Sequence, residues 1–196
     1  MILEHLKART RSHHERAEAA LPLMDDGLTL DRYRDTLAAF LGVYRPMEER
    51  LGALHAWDVL GFEFERRRKA RLIQRDLLAL GLSAAEIALV PLCPELPRVD
   101  TPPRALGALY VMEGATLGGQ VIRRRVGQIL GLDAANGVAF FSSYGDAVGP
   151  MWKEFQALVR RSIASTDQMD DMIESAAATF DTLTSWITRA PVHDDA

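Results

Sequence analysis

The chain has almost no thiol chemistry, with one cysteine, Cys93, in 196 residues. A single thiol closes no internal disulfide, and Pro91 and Pro94 on either side of it mark a loop. Lysine is nearly as scarce. Only Lys7, Lys69 and Lys153 accompany the arginines among 23 basic residues, and the formal net charge of −4 argues against a general nucleic-acid binder. There is no run of eighteen apolar residues, no signal-peptide pattern and no low-complexity tract, so the expectation is a soluble, cytoplasmic protein without a membrane span. The HExxH, CxxC, phosphate-loop and Gly-x-Ser-x-Gly patterns are all missing, which leaves the chemistries they serve without support.

What is present reads as helix, and no strand-like alternation competes with it. Leu30, Tyr33, Leu37, Phe40, Leu41, Tyr44, Met47 and Leu51 step by three and four, giving one long amphipathic helix with Pro46 as a kink. Trp152, Phe155, Leu158, Val159 and Ile163 give a second, and Met169, Met172, Ile173, Ala176, Phe180, Leu183 and Ile187 a third. Thr101-Pro102 reads as a capped helix start, and Ser83 to Glu86 and Ser165 to Gln168 read as capping boxes. The Pro-rich span from Pro91 to Pro103 is a connecting loop, not a domain linker. With 48% hydrophobic residues the chain can bury one sizeable core, so a single all-α domain over 1–196 is expected.

One helical stretch breaks the usual rules. Ala108-Leu-Tyr-Val-Met-Glu-Gly114-Ala-Thr-Leu-Gly118-Gly119-Gln-Val-Ile122 carries three glycines, each disfavoured by roughly 1 kcal/mol against Ala in a helix interior. Gly114, Gly118 and Gly119 lie near one face and strip it to backbone. Two readings fit: a tight helix–helix crossing, or a planar cofactor lying against the backbone.

A second pattern lies near the N-terminus. His14 is three residues from Arg11, four from Thr10 and Glu18, and seven from Lys7, so these share a helix face. An imidazole with two cations toward the helix start can bind a metal whose surrounding ligand is anionic, and Glu18 can orient the ring through its other nitrogen. Spacing does not choose between His13 and His14. His13 continues the apolar line of Leu3, Leu6, Thr10 and Ala17, whereas His14 shares the charged face.

Leu6-Lys7-x-x-Thr10-Arg11-x-x-His14-x-x-Ala17-Glu18, followed about a hundred residues later by Gly114-x-x-x-Gly118-Gly119-Gln-Val, resembles the haem oxygenases, nearest their bacterial, biliverdin-producing type. The likeness extends over nearly the whole chain, including Phe140-Phe141, the region from Tyr144-Gly145 to Trp152-Lys153, and the closing helix around Phe180. The resemblance implies an all-α bundle that holds haem between a proximal and a distal helix. It makes His14 the iron ligand, Glu18 its hydrogen-bonding partner, and Lys7, Arg11 and Lys153 the cations on the haem propionates. Gly114, Gly118 and Gly119 become the distal catalytic face, and Phe180 part of the cofactor wall. Implied partners are haem, O2, an external electron donor such as a ferredoxin or reductase, and a bilin-binding photoreceptor as product acceptor.

One position departs from the animal enzymes, which carry Asp immediately after the first glycine of this motif. Here it is Ala115, which offers no side-chain hydrogen bond for proton delivery. Glu113 is adjacent in sequence but about 100° away around the helix, so it is not assigned the task. A haem-binding carrier or sensor of the same fold is therefore the first alternative, and a cofactor-free helical partner protein the second. Arg66-Arg67-Arg68-Lys69 with Arg71, the most basic segment, reads as a solvated helix face or as a docking surface for an acidic electron donor. Arg123-Arg124-Arg125 can serve similarly or reach the propionates, and His5, His55 and His193 are left unassigned.

Overall fold

In the computed structural model, which describes residues 2–189, these patterns become eight α-helices and no strand among the described residues. They are α1 (Ile2–Ala20), α2 (Leu30–Gly52), α3 (Ala56–Leu60), α4 (Ala70–Ala79), α5 (Ala84–Ala88), α6 (Pro102–Leu130), α7 (Val148–Ser162) and α8 (Thr166–Arg189). The long periodic segments are α2, α7 and α8, and Pro46 lies inside α2. The local signals act as read. Ser83 and Glu86 close a reciprocal capping box on α5, and Ser165 and Gln168 do the same for α8. Thr101 caps α6 by position only, because its buried hydroxyl has no partner among the described residues.

The last helix organises the bundle. α8 packs along α6 and α1 and also touches α2, while α4 lies on α2 and α7 on α6. Its core side is built from Met172, Ile173, Ala176, Phe180 and Leu183. The crossing with α6 is close because Gly107 has no side chain. A Cβ there would stand 2.3 Å from the Met172 carbonyl oxygen and 2.9 Å from the Ser175 Cβ. The Ser175 hydroxyl donates to the Arg104 carbonyl at 2.7 Å and fastens the same crossing.

The segment between α6 and α7 is tied down by buried polar groups. Asp76 of α4 accepts from the backbone N–H groups of Ala139 and Phe140, both at 2.7 Å, and Tyr33 of α2 donates to the Gly137 carbonyl at 2.8 Å. Burial nevertheless pushes the Asp76 carboxyl above its ordinary range. Phe140 and Phe141 then pack on Phe40, with Tyr44 edge-on to Phe140, in a shared aromatic cluster.

The basic segment at the start of α4 divides between surface and core. Arg67 and Lys69 are buried, with side chains 1% exposed, and both hold Glu113 of α6: Arg67 Nη1 at 2.7 Å on one carboxylate oxygen, Lys69 Nζ at 2.6 Å on the other. The Tyr144 hydroxyl donates to the same carboxylate at 2.7 Å. Burial pushes the Lys69 ammonium below its usual range, against the pull of Glu113. A carboxylate sunk in a core needs such partners, since an unpaired buried charge costs several kcal/mol. Of this run, Arg66 and Arg71 are exposed, and Arg68 pairs with Glu65.

Candidate functional site

The two neighbouring histidines of α1 have different surroundings. His13, 25% exposed, donates from Nδ1 to the Asp181 carboxylate of α8 at 2.8 Å. His14 is 53% exposed, with Nδ1 3.5 Å from Glu18 Oε2 one turn later. Its ring meets the edge of Phe180, centroids 5.4 Å apart at 86°. This leaves Nε2 of His14 without a protein partner among the described residues. α8 thus meets the two imidazoles differently, with Asp181 on the Nδ1 of His13 and the edge of Phe180 against the ring of His14.

The α6 glycines also divide. Around Gly114 and Gly118, nothing lies within 4 Å of where a Cβ would be. Leu117 and Val121 on the same face are exposed although apolar, so this face is greasy and bare. Gly119 differs: its Cβ would stand 2.9 Å from the Phe141 carbonyl oxygen, a contact that only a missing side chain permits. Gly119 therefore serves close packing, against the segment before α7 and not against another helix, while Gly114 and Gly118 leave the α6 backbone open. α1 and α6 come together where the side chains of Thr10 and Tyr110 lie side by side. His14 and Gly114 each follow one turn later along their own helices.

The predicted cations are less uniform. Lys7 and Lys153 are exposed and make no ion pair among the described residues. Arg11 instead pairs with Glu15 along its own helix at 2.7 Å. Arg125 pairs with Asp26, while Arg123 and Arg124 line a cavity of about 670 Å³ together with Gly127, Gln128, Leu132 and Val138. Cys93 is buried, with burial holding its thiol above the ordinary range, as suits a loop filler. His193 lies outside the described residues.

Among the described residues no three His, Cys, Asp or Glu side chains converge to hold a metal ion by themselves. A metal at His14 must bring its other ligands with it, as a porphyrin does. The bare apolar face, the outward Nε2 of His14 and two lysines without an ion pair among the described residues fit a flat, iron-bearing dicarboxylate.

The family model described as "Heme oxygenase" matches residues 1–189. The chain belongs to the haem oxygenase family. It is 30% identical over 153 residues to the heme oxygenase of Xanthomonas campestris pv. campestris, covering 76% of this chain and 85% of that one. The fold is shared with the NO- and CO-bound heme oxygenase of Neisseria meningitidis, with a TM-score of 0.81 at 17% identity over 100% of this chain and 95% of that one. It is likewise shared with the heme oxygenase-1 of the cyanobacterium Synechocystis, solved in complex with heme, with a TM-score of 0.72 at 15% identity over 95% and 90% of the two chains. No helix among the described residues is long and apolar enough to cross a membrane.

Two features of the site escaped the sequence. Asp181 carried no signal, because its partner His13 is 168 residues away. The separate duty of Gly119 was hidden in a run of like residues, though its place directly after Gly118 puts it about 100° further round the helix.

Proposed function

We propose that this chain binds haem through His14 and cleaves it oxidatively to biliverdin, CO and ferrous iron, using O2 and electrons from an external donor such as a ferredoxin or reductase. The observation that carries the reading is the pairing of a free imidazole on α1 with a glycine face on α6 that is open at Gly114 and Gly118. Haem, when bound, is both the substrate and the source of redox-active iron.

The chain's own residues do the rest. Glu18, with Oε2 3.5 Å from His14 Nδ1, is placed to take up the Nδ1 proton in a hydrogen bond once haem is bound, which would present Nε2 as the ligand nitrogen. Phe180 limits the swing of the ring. Lys7 and Lys153 hold the propionates, and Gly114 and Gly118 let the macrocycle and O2 approach backbone. Ala115 donates no proton, and the Glu113 carboxylate beside it is fully engaged by Arg67, Lys69 and Tyr144. A cytoplasmic setting, with bilin passed to a photoreceptor or iron released for use, belongs to the same reading.

The test is an absorption spectrum with one equivalent of haemin, followed after adding a reductant in air. Loss of the Soret band with growth of a biliverdin band is the expected result. A stable haem spectrum instead supports the carrier or sensor reading, which Ala115 favours, and no uptake sinks both. His14→Ala should lose the histidine-ligated spectrum and regain it with added imidazole, and an unchanged spectrum overturns the ligand assignment.

A further inference from the structure

The helix that carries His14 is the least embedded of the long helices. Only Leu6 and Thr10 of α1 are buried, both in its first half, and within residues 11–20 only His13, Ala17 and Ala20 are even half-buried. Such a helix has little apolar packing to stop it rolling about its axis, and a roll of one residue turns it by about 100°. That roll would exchange His14 for a neighbour.

Polar contacts with α8 resist it. Asp181 Oδ1 accepts from His13 Nδ1 at 2.8 Å and from Arg16 Nη2 at 3.0 Å, with the two donors 2.9 Å apart around that one oxygen. Burial raises the Asp181 carboxyl, but the bonds from His13 and Arg16 outweigh it and hold the group below its usual range, so it is ionised at neutral pH. The register is doubly marked. Phe180 and Asp181, adjacent on α8, touch His14 and His13, adjacent on α1.

We infer that Asp181 is a positioning residue. It clips His13 and Arg16 to α8 and thereby fixes the rotation of α1 at which His14 offers its free nitrogen to haem. The inference rests on His14 being the ligand, and it adds a role for a histidine that would otherwise read as a spare.

The test compares Asp181→Ala with Asp181→Asn, which keeps an oxygen acceptor. In haem-free protein, amide hydrogen exchange over residues 11–20 should quicken roughly five-fold in Asp181→Ala and stay near wild type in Asp181→Asn, with α8 unchanged. In the ferrous haem complex, the iron–histidine stretching band of Asp181→Ala should broaden or shift, and haemin affinity should fall by a similar factor. Arg16→Met, which removes one of the two donors, gives a smaller change of the same kind should Asp181→Ala fail to fold. Wild-type exchange and an unaltered band in Asp181→Ala overturn the positioning role while leaving the ligand assignment intact. If the wild type takes up no haemin, the proposed function falls and the positioning role falls with it.

Discussion

Gly107 and Gly119 on α6 face other backbone, whereas Gly114 and Gly118 on the same helix face open space. The residue type is identical and the propensity penalty is the same, yet the first pair is required by the fold and the second pair is not. Nothing within the described protein gains from the bareness of Gly114 and Gly118. A position that weakens a helix without helping it pack is where function is to be sought.

The contrast can be broken in four places. Gly107→Leu should do most damage, since its side chain would begin 2.3 Å from the Met172 carbonyl oxygen. A loss above about 3 kcal/mol, or failure to fold, is the expected outcome of denaturant titration. Gly118→Leu should leave stability within about 1 kcal/mol of wild type while lowering haemin affinity at least about 100-fold, because the side chain fills the cofactor's place. Retained affinity with a collapsed fold would make Gly118 a packing residue after all. Gly119→Ala should cost about 1–3 kcal/mol through its contact with Phe141, read as a lower melting temperature. Gly114→Ala comes last and has the opposite sign, a gain of about 0.5–1 kcal/mol in the haem-free protein and a melting point higher by roughly 2–4 °C.

Much of the fold was legible because its signals are local. The stripes of α2 and α8 and the capping boxes at Ser83 and Ser165 need only a turn or two of helix to express themselves. Features that need a distant partner were not legible. Arg67 and Lys69 looked like solvated charge until Glu113, more than forty residues on, took them into the core. Spacing alone could not separate His13 from His14, because the contacts that differ, Asp181 on one and Phe180 on the other, come from α8 at the far end of the chain. The glycine motif could not say which glycine met protein, since that depends on where Phe141 passes.

The poverty in lysine has a practical side. Of the three lysines, Lys69 is sealed in its ion pairs, while Lys7 and Lys153 stand in solvent without partners among the described residues. An amine-directed reagent therefore has two lysine targets, and both are the residues proposed to grip the cofactor's carboxylates. Counting attached labels by mass, with and without haemin, would report occupancy of the site through chemistry that involves neither colour nor turnover.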